Sequence, residues 1–68
     1  MQEYNISSRE KQCAQHLIAG MTSKETANLL CISPRTVEVY LERLKSRFQC
    51  RNKVQLAALL VAEGLIEK

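Results

Sequence analysis

The sequence predicts an all-α fold of four helices, the second and third forming a central helix-turn-helix. Three observations carry that expectation. Each of four segments opens on a residue suited to capping a helix, apolar residues recur at helical spacing within each, and no stretch of useful length alternates with period two.

Ser7-Ser8-Arg9-Glu10 has the form of a capping box, in which the Ser7 hydroxyl accepts from an orphan amide and Glu10 reaches back. Cys13, Ala14, Leu17, Ile18 and Met21 then follow at 3.6-residue spacing. Gly20 supplies the left-handed residue that stops the helix. Thr22-Ser23-Lys24-Glu25 repeats the capping box and opens a short second helix, with Ala27, Leu29 and Leu30 apolar and an end near Cys31.

Ser33-Pro34 opens the third helix, because Ser33 caps and Pro34 fits the first turn, where its missing amide needs no partner. Its apolar stripe is Val37, Leu41, Leu44 and Phe48, and its other side carries Arg35, Glu38, Val39, Glu42, Lys45 and Ser46. Asn52 with Gln55 starts the fourth helix, which runs through Leu56, Ala57, Leu60 and Val61 to a stop at Gly64. Residues 1–6 read as an N-terminal tail or linker remnant and residues 7–68 as one domain.

At 68 residues the chain buries only about 60% of the surface its unfolded form exposes, so its core is thin and a deep catalytic cleft is not expected. Tyr4, Tyr40 and Phe48 are its aromatic residues, which leaves aliphatic side chains to build the interior. The longest apolar run, residues 56–62, is far short of the roughly 20 residues of a membrane span. The first five residues lack the charged-then-apolar start of a secretory signal. A soluble, cytoplasmic protein is expected, without membrane association or a small-molecule substrate.

The net charge of +3 is unevenly spread. Residues 1–34 are balanced, and the whole excess lies in residues 35–68, with Arg43, Lys45, Arg47, Arg51 and Lys53 uninterrupted by any carboxylate. Such a local field attracts polyanions, although a solvated helix face has the same composition. Cys13, Cys31 and Cys50 are odd in number and widely spaced, which suits thiols rather than a disulfide scaffold. Cys13 and His16 share a helix face, but two ligands do not close a zinc site, so no metal or other cofactor is expected.

Function follows from the three residues Cys31-Ile32-Ser33 between the second and third helices. A short positioning helix, a tight turn and a longer helix with an exposed polar face are the signature of a helix-turn-helix. A major groove about 12 Å wide admits one α-helix, and flanking cations neutralise phosphates.

From Ser8 to Leu65 the sequence resembles the LuxR-type (GerE-family) DNA-binding domain of bacterial transcription regulators. The matching blocks are Ser8-Arg9-Glu10, residues 20–27, Leu30, residues 32–37, Arg47-Phe48, Arg51-Asn52-Lys53 and Gly64-Leu65, in order and at the right spacing. The resemblance implies a four-helix domain that binds double-stranded DNA as a homodimer through its fourth helix, with RNA polymerase a further possible partner. It places base-reading positions on Glu38, Val39 and Glu42. It places phosphate-contact positions on and around Thr22, Ser23, Lys24, Arg35, Thr36, Tyr40, Lys45 and Lys53, and the basic run adds Arg43 and Arg47. The fourth helix is apolar on more than one face, and a self-association patch of Val54, Ala58, Val61 and Ala62 is expected there.

Three positions depart from the family pattern. Lysine is frequent in relatives where Glu38 and Glu42 stand, so these carboxylates either accept from cytosine N4 or pair internally with Arg35, Arg43 or Lys45. Val39 is expected against a thymine methyl. Tyr40 replaces the usual His, its hydroxyl a phosphate donor or its ring packed on the domain edge. Gln49 replaces a common Gly, so a left-handed backbone there would cost about 1 kcal/mol.

Two other readings share these features. One is a protein-interaction module gripping an acidic partner, from which steep salt dependence of duplex binding separates a DNA-binding domain. The other is a sigma-factor region-4-like domain contacting promoter DNA and RNA polymerase, against which residues 20–25 and 33–37 favour the LuxR type. An enzyme is not expected: His16 stands alone and no glycine-rich phosphate loop is present.

Overall fold

Every helix starts where its capping side chain dictates. The computed structural model describes residues 6–66, in which α1 spans Ser8–Ile18, α2 Ser23–Leu30, α3 Pro34–Arg47 and α4 Lys53–Ala62. The expected tail lies outside the described residues apart from Ile6, as do the last two residues of the domain. Both capping boxes form: Ser7 Oγ accepts from the Glu10 amide at 3.2 Å while Glu10 Oε1 accepts from the Ser7 amide at 3.1 Å. Thr22 and Glu25 make the reciprocal pair at 3.1 and 2.9 Å. Ser33 accepts from the Thr36 amide at 3.1 Å with Pro34 in the first turn of α3, and Asn52 accepts from the Gln55 amide at 2.8 Å.

All four helices stop on a left-handed residue: Gly20 (φ 89°), Cys31 (φ 58°), Gln49 (φ 57°) and Gly64 (φ 70°). At each stop the following amide folds back to a carbonyl in the last turn: Met21 to His16, Ile32 to Ala27, Cys50 to Lys45 and Leu65 to Leu60. These 6→1 bonds satisfy carbonyls that a helix end would otherwise leave without a donor. Gln49 thus adopts the left-handed backbone considered for it above, and Cys31 is a second L-residue in that region, where a Cβ costs roughly 1–2 kcal/mol.

Two clusters make the interior. Ala14, Leu44, Leu56, Leu60 and Ile66 form one, covered by Ile6, Ile18, Phe48, Cys50 and Leu65. Cys13, Ala27, Val37 and Leu41 form the other, covered by Leu30, Ile32 and Tyr40, and Leu17 packs against both. The expected stripe on α3 is buried at Val37, Leu41 and Leu44, while Phe48 is half-buried. On α2 the inward face is Thr26, Ala27 and Leu30, and Leu29, a third of a turn away, is 61% exposed.

Polar contacts tie α1 to its neighbours. Glu10 is buried, yet it caps α1 and lies 3.5 Å from Arg47 Nη1 at the end of α3. Arg9 donates to the Leu30 carbonyl at the end of α2 at 3.3 Å. Among the described residues no buried side-chain nitrogen or oxygen lacks a partner. Among the described residues, likewise, no helix is long and apolar enough to cross a membrane, and no cluster of His, Cys, Asp and Glu could hold a metal ion.

Candidate nucleic-acid interface

The turn between α2 and α3 determines what α3 can present. Cys31 reverses the chain in the left-handed region, Ile32 packs into the second cluster, and Ser33 caps α3. With Val37, Leu41 and Leu44 drawn into the core, the opposite side of α3 is left to solvent: Arg35, Val39, Glu42, Arg43 and Ser46 are exposed. They line one side of a 14-residue helix as a continuous ridge.

The starts of α2 and α4 flank this ridge. Thr22 and Lys24 are exposed and Ser23 is half-buried, while Lys53 opens α4. Ser23 Oγ donates to Glu38 Oε2, and Lys53 Nζ donates to the same oxygen at 2.6 Å. One carboxylate therefore joins three helices. The Lys53 ammonium and then the Ser23 hydroxyl, both bonded to Glu38, hold its carboxyl below the usual carboxylate range. Glu42 pairs instead with Lys45 one turn on, at 2.8 Å. Both glutamates are thus matched internally. Glu42 uses a neighbour on its own helix, but Glu38 reaches across to α2 and α4 rather than to Arg35, Arg43 or Lys45.

The remaining expected residues divide by environment. Thr36 is half-buried, its hydroxyl 2.8 Å from that of Ser33 at the start of α3. The half-buried Tyr40 ring packs against the second cluster. Arg47 is turned toward Glu10. Arg35 and Arg43 are exposed on the ridge, and Arg51, outside the expected set, is exposed just before α4. Of the basic run, Lys45, Arg47 and Lys53 therefore face glutamates, while Arg43 and Arg51 are exposed.

On α4 the expected self-association residues share one exposed side. Val54 is 80% exposed and Val61 37%, with Ala58 and Ala62 exposed beside them at i, i+4, i+7 and i+8. Leu56 and Leu60 face inward. The double-sided apolar character of α4 is thus divided between a core face and an open face.

Sequence reasoning missed the Ser23–Glu38–Lys53 junction. Glu38 is 15 residues from each partner, beyond any intrahelical spacing rule, and the only local sign was opposite charge at the starts of successive helices.

Known proteins match this arrangement. The family model GerE, "Bacterial regulatory proteins, luxR family", matches residues 4–60. The transcriptional regulatory protein FixJ of Bradyrhizobium diazoefficiens is 36% identical over 62 residues, covering 91% of this chain and 30% of FixJ. The regulatory protein SdiA of Escherichia coli is 38% identical over 64 residues, covering 94% of this chain and 27% of SdiA. The crystal structure of the phage VqmA-DPO complex superposes with a TM-score of 0.87 at 33% identity, covering 94% of this chain and 29% of that one. The chain spans less than a third of the length of each of these proteins. With the family match extending through all but the last residues of α4, the chain belongs to the luxR family of bacterial regulatory proteins and has that family's DNA-binding helix-turn-helix fold.

Proposed function

We propose that this domain binds operator half-sites in duplex DNA as a homodimer, with α3 in the major groove. The observation that carries the reading is the exposed ridge of α3, bordered by the N-termini of α2 and α4, which bring Lys24 and Lys53 beside it. Val39 and Glu42 are the ridge residues that meet base edges, Val39 offering a methyl surface to thymine. Arg35, Thr36, Arg43, Lys45 and Arg47 on α3 serve the phosphates, as do Thr22, Ser23 and Lys24 at the start of α2. Tyr40 and Lys53 complete that set, and the N-termini of α2 and α3 add their dipoles.

The open face of α4, built on Val54, Ala58, Val61 and Ala62, supports dimer formation. One copy of α3 spans few base pairs, and two copies reading spaced half-sites gain affinity and selectivity together. Selection of bound duplexes from a random pool tests this reading. It is expected to enrich a repeated half-site at fixed spacing, with affinity falling steeply as salt rises. A pool that emerges without any enriched sequence would end the proposal.

A further inference from the structure

A helix that approaches a polyanion is poorly served by carboxylates, and α3 carries two of them near its ridge. Glu42 is answered locally by Lys45. Glu38 is answered by the first residues of two other helices, Ser23 of α2 and Lys53 of α4, which converge on a single oxygen. A hydroxyl and an ammonium converging on one anionic oxygen are also what a phosphate oxygen would require.

We propose that Glu38 is an internal counter-anion, occupying between Ser23 and Lys53 the place a DNA phosphate takes on binding, and that it restrains DNA affinity instead of reading a base. The proposal rests on the DNA-binding reading above and adds the role of this residue.

Three considerations support it. A carboxylate that reads cytosine must present itself to the base N4 amine, whereas this one is turned to the flank of α3, toward the starts of α2 and α4. Next, Lys53 and Glu38 are 39% and 40% exposed, so their contact is open to water and ions, and pairs of that kind are readily exchanged. A duplex phosphate can therefore compete for Lys53. Finally, a lysine already matched by a carboxylate neutralises no phosphate on balance, so one counterion fewer is released from the DNA.

The test uses the full chain, a random-sequence duplex and the duplex enriched by selection, with affinity read by fluorescence anisotropy across a salt series. Glu38→Gln, which keeps the shape and an acceptor for Ser23, is expected to bind both duplexes about three- to ten-fold more tightly, and to steepen the slope of log affinity against log salt by about one. Glu38→Ala is expected to act in the same direction. In a Lys53→Gln background the gain from Glu38→Gln is expected to fall below about two-fold, because the group it would release is gone.

Weaker binding of either Glu38 variant confined to the enriched duplex, with altered preference at one base pair, would make Glu38 a base reader and overturn the proposal. An undiminished gain in the Lys53→Gln background would reduce the effect to lost repulsion and overturn it equally. Unchanged affinity would also overturn it. If the unaltered chain binds no duplex at any salt, the DNA-binding reading itself fails, and that result is distinct from all of these. Thermal unfolding of each variant confirms that affinities are compared between folded proteins.

Discussion

Arg47 Nη1 stands 3.5 Å from Glu10 Oε1, and this contact joins the first turn of α1 to the last turn of α3. Glu10 is 4% exposed and has a second task, accepting from the Ser7 amide as half of a capping box. Removing its carboxylate strands the Ser7 amide and takes an anion from beside the guanidinium. Glu10→Ala is therefore expected to destabilise the fold by about 1–3 kcal/mol, with Glu10→Gln losing less because it keeps the cap. Urea unfolding of the two variants checks the order.

The left-handed stops at Gln49 and Cys31 lead to an opposite expectation. Gln49→Gly relieves a Cβ at φ 57° and is expected to stabilise by about 1 kcal/mol, with Cys31→Gly similar. At Gly64 a Cβ would meet no atom within 4 Å, yet φ is 70°, so Gly64→Ala is expected to destabilise by about 1 kcal/mol through the backbone alone. Thermal melts of the three variants separate conformational strain from crowding.

The open face of α4 gives a prediction about assembly. Val54→Lys and Val61→Glu alter side chains that are 80% and 37% exposed, so the isolated domain is expected to stay folded. Cooperative binding to paired half-sites is expected to disappear. Ultracentrifugation, together with titration of one-site and two-site duplexes, provides the measurement. A variant that remains a dimer and binds paired sites as before would remove the α4 assignment.

Acid stability depends on Glu38. Its carboxyl is held below the usual 4.5 by Lys53 and Ser23, so folding favours the ionised form. The sign follows from linkage. The contribution is present above the unfolded value and is lost as pH falls from about 4.5 through the lower folded value. Glu38→Gln is expected to flatten that part of the stability profile by lowering stability at neutral pH, while leaving the acid end, where the carboxyl is already protonated, nearly unchanged, as unfolding at stepped pH would show.

The three thiols should differ in reactivity. Cys31 is exposed, Cys50 half-buried and Cys13 buried, with desolvation pushing the Cys13 thiol above its usual range. An alkylating reagent is expected to modify Cys31 first, Cys50 more slowly and Cys13 only on unfolding, as mass spectrometry over a time course would reveal.

Local chemistry made most of the fold legible. Ser7, Thr22, Ser33 and Asn52 each cap the helix they announce, because an N-cap is decided within four residues. The exposure of Arg35, Val39 and Glu42 followed from the burial of Val37, Leu41 and Leu44 by helical periodicity alone. The partners of Glu10 and Glu38 were not legible. They lie 37 and 15 residues away in the chain, and only the packing of α1, α3 and α4 decides which lysine or arginine a carboxylate can reach. Cys31 concealed its left-handed turn for a similar reason: the stop is enforced by Ile32 seating in the core rather than by a glycine.

Leu17 touches both clusters, and α3 places Leu44 in one while Val37 and Leu41 lie in the other. The helix that would read DNA and the helix that would meet a second copy are thus fastened to a common beam by core packing, in addition to the short link of residues 48–52. In a dimer built on α4, the distance separating the two reading heads would be a dimension of the core, set like the gap of a caliper by aliphatic packing. Enlarging or shrinking Leu17 would then reset which operator spacing fits, without altering a single residue that faces the duplex.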